Sequence, residues 1–118
     1  IEVNISRLDD FIGNINPVLI KIDVEGFESN VLKGAHNTLK CDSLLAVIIE
    51  TFGSSKFDSL MSNYGFYPYT YSPFDRLLVP ITETNKKSVH NPIFIKNVDE
   101  ITNRILYAPK FRVRDIEI

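Results

Sequence analysis

Lys21, Asp23 and Glu25 stand at alternate positions in the run Leu19-Ile20-Lys21-Ile22-Asp23-Val24-Glu25-Gly26, and Glu50 closes a second apolar run, Leu44 to Ile49. Three chemistries use carboxylates placed like this. A carboxylate whose pKa is raised by its surroundings acts as a general base toward a hydroxyl. A cluster of them holds Mg²⁺ or another hard cation through oxygen ligands. A carboxylate also orients a polar cofactor by accepting its hydrogen bonds. A plainer reading stands beside these: Glu25 and Glu28 cap the following helix, and Glu50 meets solvent or Lys21. Lys21 is the odder residue. An ammonium between two isoleucines in a doubly covered strand is costly unless paired. It is either a charge or proton-transfer partner of Asp23, or a stem packed in the sheet with its head reaching Glu50 or water.

The elements that position these residues follow from periodicity. Val18 to Val24 is rich in β-branched residues and reads as a strand buried on both faces, in the manner of a parallel sheet. A strand alternates its faces, so Lys21 and Asp23 share one side and Ile20, Ile22 and Val24 the other. Phe27 to Lys40 repeats apolar residues at helical spacing, which predicts one amphipathic helix. Gly34 inside it costs about 1 kcal/mol against Ala, so a close approach to the sheet is expected there. Leu44 to Ile49 is the second strand. Ligands bind at the carboxyl ends of strands in open α/β sheets, so Asp23, Glu25 and Glu50 are expected on one rim.

Around this centre the pattern is less regular. Ile1 to Ile5 alternates weakly as a short strand, and Ser6 is a candidate N-cap for a helical turn, Arg7 to Ile12. Gly53-Ser54-Ser55 reads as a turn with cap candidates, followed by a short helix, Lys56 to Tyr64, that Gly65 stops. Phe66 to Tyr71 is a strand whose Pro68 points to an edge position. Arg76 to Ile81 and Pro92 to Lys96 are further strands, with a polar loop from Thr82 to Asn91 between them. Val98 to Tyr107 reads as a last helix or turn and the remainder as a tail. Strand-helix alternation early in the chain implies parallel pairing, and the helix-free connections later imply an antiparallel addition.

Other candidates are weaker. His36 and His90 lack spaced metal partners and read as surface residues. Tyr64, Phe66, Tyr67, Tyr69 and Tyr71 line a pocket or, more simply, form core and cross-strand pairs. Cys41 is the single cysteine, so no internal disulfide forms and no Cys/His metal spacing exists; it reads as a packing residue in a reducing, cytoplasmic setting. The 118 residues suit one domain, with 44% apolar and 24% charged residues and a formal net charge of −2. Lys86-Lys87 and the trio Lys110, Arg112 and Arg114 read as solvated charges, so neither nucleic acid nor a membrane is an expected partner. No apolar run reaches the ~20 residues of a membrane helix. The chain starts with Ile and lacks a signal-peptide pattern, which reads as a piece of something longer.

These residues resemble a known family. Ile20-Lys21-Ile22-Asp23-Val24-Glu25-Gly26, then Glu28 and Val31-Leu32-Lys33-Gly34-Ala35, then an apolar strand ending in Glu50, are similar to the FkbM methyltransferases. Leu8-Asp9-Asp10 upstream, Gly65-Phe66 and Asn91-Pro92-Ile93-Phe94-Ile95 resemble further segments of that family, so the likeness spans most of residues 3 to 97. The resemblance implies the C-terminal half of a Rossmann-like α/β methyltransferase fold with strand order 3-2-1-4-5-7-6. Val18 to Val24 would be strand 4, Leu44 to Ile49 strand 5, Phe66 to Ile81 strand 6, and Pro92 to Lys96 strand 7, the one antiparallel strand of a mostly parallel sheet. Residues 1–118 are then one partial domain, with 98–118 as a C-terminal tail.

It further implies methyl transfer from S-adenosylmethionine to oxygen, on a sugar or natural-product hydroxyl. Asp23, Glu25 and Lys21 would be catalytic, and Asp23 would also face the cofactor. The Gly-rich loop that cradles this cofactor in the family has no counterpart here: the five glycines are isolated. The cofactor site is therefore expected mostly outside these residues, with the chain inactive alone. Strand 4 is then a bare edge, inviting the missing N-terminal half or a second copy. Two other classes stay open: a divalent-metal enzyme built on Asp23, Glu25 and Glu50, and a non-catalytic α/β assembly module.

Overall fold

In the computed structural model, which describes all residues except 52–55, 114–115 and 118, the two apolar runs form adjacent strands in parallel register. Strands β1 (Leu19–Ile22) and β2 (Ala46–Ile49) pair Leu19 with Ala46 through Ile22 with Ile49. β3 (Tyr67–Ser72), β4 (Leu77–Pro80) and β5 (Ile93–Ile95) complete a five-stranded sheet of order β1-β2-β5-β3-β4. The neighbours β1-β2-β5-β3 follow the order 4-5-7-6. The expectation of a mostly parallel sheet with one antiparallel strand does not hold: only β1–β2 is parallel, and the other three pairings are antiparallel. The reason lies in the connections. Residues 73–76 are too few for a crossover, so β4 must fold back on β3, and β5 inserts antiparallel between β2 and β3.

One face of the sheet is closed by helices. α2 (Glu28–Lys33), α3 (His36–Lys40) and α4 (Asp58–Ser62) set Leu32, Leu39 and Met61 against Ile22, Val47, Ile49 and Phe94, with Phe57 and Phe66 between them. The predicted long helix is two helices because the chain breaks at Gly34-Ala35. Gly34 has its close approach, but to the start of α1 (Leu8–Ile12) and not to the sheet. A Cβ on Gly34 would lie 3.3 Å from the Arg7 Cβ, and its carbonyl accepts from Asp9 N at 2.9 Å. α4 ends at Ser62, two residues short of the expected Tyr64; residues 63–65 form a turn in which Gly65 has φ +80° and Phe66 N bonds back to Met61 O at 3.1 Å.

The other face is open. Helix α5 (Val98–Tyr107), capped by the Asn97 side chain accepting from Glu100 N, crosses it and leaves an apolar groove of about 490 Å³. Leu19, Ile48, Ile93, Ile101 and Ile105 line that groove. β1 is therefore not buried on both faces: Leu19 is 55% exposed and only Ile22 is buried, because β1 is the sheet's edge. Pro68 marks no edge: β3 lies between β5 and β4. A residue's N–H and C=O point to the same side of a strand, and the Pro68 carbonyl accepts from Ile81 N just past the end of β4. Its missing donor thus falls where the ladder is already ending.

Three smaller expectations also change. Residues 1–5 form no strand, and Ser6 makes no cap, since the N-cap of α1 is Arg7 without a side-chain bond. The tail beyond α5 carries a two-stranded ladder, β6 (Arg112–Val113) with β7 (Ile116–Glu117). The Gly53-Ser54-Ser55 turn and Arg114 lie outside the described residues.

Candidate active site

Parallel pairing puts the carboxyl ends of β1 and β2 side by side. Glu50 N donates to Ile22 O at 3.0 Å, which fixes Glu50 beside Asp23. The Asp23 and Glu50 carboxyl groups face the same cleft, close enough to perturb each other's ionisation. Lys21 Nζ lies 2.5 Å from Asp23 Oδ2. Lys21 is thus paired with Asp23 as one sequence reading required, and it is exposed at the edge, so no burial cost arises. With Glu25, Gly26, Glu28, Thr51, Lys56 and Phe57, the two carboxyls line a cleft of about 480 Å³.

The electrostatics separate the pair. The hydrogen bond from Lys21 holds Asp23 below the ordinary aspartate range, assisted by contact with Glu50. The same Asp23 contact, its negative charge and desolvation push Glu50 above the ordinary glutamate range, with Glu25 adding repulsion and Lys21 opposing. Two carboxyls this close oppose each other's ionisation, so Glu50 gives up its proton less readily than Asp23.

The chain then turns sharply. Glu25 and Gly26 both have positive φ, +41° and +99°, and Phe27 N bonds to Val24 O at 3.3 Å. This is the geometry of a type I′ turn, which a glycine at its second central position makes accessible. Glu25 adopts it without being glycine. Such strained residues concentrate at functional sites. Glu28, 7% exposed, steadies the turn by accepting from Gly26 N at 2.8 Å, and that bond holds its carboxyl below the usual range. Glu28 therefore serves the turn, and Glu25 points its strain into the cleft wall rather than capping α2: the N-cap of α2 is Phe27, without a side-chain bond.

A second polar assembly, unseen in the sequence, ties α1 to this region. Asp9 accepts from Asn37 N (2.9 Å), Thr38 N (2.8 Å) and Thr38 Oγ1 (2.7 Å). It caps α3 across 28 residues of chain. Burial opposes ionisation of Asp9, but these bonds outweigh it and hold the carboxyl below the ordinary range. The remaining candidates disperse. His36 Nδ1 is hydrogen-bonded to the Tyr64 hydroxyl at 2.8 Å on the surface. Phe66 fills the core, Tyr67 is exposed, and Tyr71 lines the apolar groove, so the aromatics form no single pocket. Cys41 is a free, partly buried thiol packed against the core beside Ser43. Among the described residues, no three His, Cys, Asp or Glu side chains are arranged to hold a metal ion.

The motif-bearing segment, from α1 through β1, α2, β2 and β3, matches the family described as Methyltransferase FkbM domain over residues 1–77. The chain belongs to the FkbM methyltransferase family. The match includes Lys21, Asp23, Glu25 and Glu50 and ends short of β5. No curated protein and no solved structure matches the chain. Within the FkbM frame, sequence reasoning named Asp23, Glu25 and Lys21. It missed the direct approach of Glu50 to Asp23 and the contributions of Thr51, Lys56 and Phe57 to the cleft. The available signal was Glu50 ending the next apolar run, because parallel neighbours in register bring their ends together. No helix among the described residues is long and apolar enough to cross a membrane.

Proposed function

We propose that this chain is the acceptor-side part of an S-adenosylmethionine-dependent O-methyltransferase acting on a sugar or natural-product hydroxyl, in the cytoplasm. The observation that carries it is that Asp23 and Glu50, at two adjacent parallel strand ends, line one cleft inside the segment that matches the FkbM family. The residues fit the cofactor in part. Its methionine end bears an ammonium and a sulfonium, and the cleft of Asp23, Glu25, Glu28 and Glu50 offers both a negative environment. Its adenosine end needs a backbone cradle, and no Gly-x-Gly occurs in these 118 residues. The cradle is therefore assigned to residues outside this chain, and the chain alone does not turn over.

When bound, the cofactor supplies an electrophilic methyl group on sulfur, which leaves as a neutral thioether. The chain's own residues do the rest. Lys21 keeps Asp23 ionised and oriented. The carboxyl pair holds the acceptor hydroxyl at the cleft and accepts its proton. Much of the rate comes from this positioning.

The open edge of β1, with Leu19 exposed beside it, supports a partner strand there: the cofactor-cradling half or a second copy. Light scattering on the isolated chain is expected to show concentration-dependent association; a stable dilute monomer counts against it. Calorimetric titration of S-adenosylmethionine tests the main reading. The full-length protein binds and this chain alone does not. Full-length protein that fails to bind is an assembly module, and the enzyme reading falls.

A further inference from the structure

The carboxyl pair in the cleft is asymmetric in its surroundings. Asp23 is the member touched by Lys21 Nζ, at 2.5 Å, and its side chain is 44% exposed. Glu50 is half-buried, forms no ion pair among the described residues, and reaches the cleft from the interior strand β2. The charged groups around Glu50 are Asp23, Lys21 and Glu25 from the end of β1, with Glu28 and Lys56 across the cleft. We propose that Glu50, not Asp23, is the carboxylate that receives the acceptor proton, and that Asp23, clamped by Lys21, is its positioning residue.

This rests on the methyl-transfer reading and specifies its base. A carboxylate locked to a lysine is a weak base. The best catalytic base has a pKa close to the working pH, and two carboxyls whose environments push them apart divide the roles of base and fixed charge. The directions of shift agree: Asp23 is held low and Glu50 is held high. In the step itself, a lone pair of the acceptor oxygen forms the new bond to the methyl carbon. The carbon–sulfur pair stays with sulfur, and the hydroxyl proton passes to a Glu50 carboxylate oxygen. Glu50 must be ionised beforehand, so the rate rises with pH through its raised pKa.

Two measurements decide it. The first follows the ¹³C carboxyl resonances of Asp23 and Glu50 through a pH titration of the protein. Glu50 is expected to titrate above Asp23, the upper transition to vanish in Glu50→Gln, and the two to draw together in Lys21→Met. The second records, with the full-length protein, methyl transfer from S-adenosylmethionine to a panel of mono- and disaccharides against pH. Glu50→Gln is expected to lose the rising limb and about 10²–10⁴-fold in turnover, the usual worth of a general base. Asp23→Asn removes the charge that raises Glu50, so its limb moves to lower pH and its turnover falls less. The opposite pattern, with the limb lost in Asp23→Asn and only shifted in Glu50→Gln, overturns the assignment. If no saccharide is methylated by the unaltered full-length protein, the acceptor class fails, and the order of the two carboxyl titrations alone decides: Asp23 titrating above Glu50 overturns the proposal.

Discussion

The sheet has two halves that are built differently. The parallel pair β1–β2 carries the family's motif and the polar cleft, whereas β5, β3 and β4 are antiparallel and carry Phe94 and Ile95, both fully buried. Parallel pairing sets two carboxyl ends side by side, which is how Asp23 meets Glu50. Antiparallel pairing alternates ends: beside Glu50 and Thr51, β5 offers only its approach, where Thr51 N bonds to His90 O at 3.0 Å and Ile49 N to Pro92 O at 3.3 Å. Both halves share the core, through Ile22, Val47 and Ile49 on one side and Phe94 and Ile95 on the other, but only the parallel half adds a polar rim.

The sharpest way to break that contrast is to truncate each half. Phe94→Ala removes a side chain with no exposed surface at the centre of the antiparallel half and is expected to cost about 3–5 kcal/mol in urea unfolding. Leu19→Ala on the exposed edge is expected to stay within about 0.5 kcal/mol. Equal costs would erase the contrast between the buried strand β5 and the exposed edge of β1.

Gly26→Ala comes next. Nothing lies within 4 Å of an added Cβ, so the cost is conformational alone, from φ +99°, and about 1–2 kcal/mol is expected by thermal unfolding. A neutral result would mean the turn is free to relax. Asp9→Ala uncaps α3 and is expected to cost about 1 kcal/mol, with faster amide exchange at Asn37 and Thr38 than in the unaltered chain.

The smallest effect lies in the pH dependence of stability. Glu50 is raised in the folded state, so its contribution is complete below the ordinary glutamate range and is lost as pH rises through the raised value. Asp23 and Asp9 are lowered, so theirs are present above the ordinary aspartate range and are lost as pH falls through the lowered values. Glu50→Gln is expected to remove the loss on the rising side and leave the acid loss. A midpoint-versus-pH series that keeps both slopes would refute the raised Glu50 carboxyl.

Much of the site was legible because it is local. Lys21, Asp23, Glu25 and Gly26 sit within six residues, and strand alternation puts Lys21 and Asp23 on one side without any tertiary information. The Asp9 cap was not legible, since the sequence offers no sign that a carboxylate in α1 serves helix α3. The same packing explains the split of the predicted long helix: Gly34 must let Arg7 come close, and a continuous Phe27–Lys40 periodicity conceals that. Pro68 misled because propensity speaks of a missing donor but not of which neighbouring strand would have used it.

The amino-acid sequence by itself determined the family, the two apolar strands and the presence of three acidic strand-end residues, because these depend on residue type and short-range period. Tertiary structure decided which carboxyl pairs with which, which one Lys21 clamps, and that most of the sheet is antiparallel. Those outcomes depend on strand order and register, and pairing between distant segments leaves no period in the chain to read.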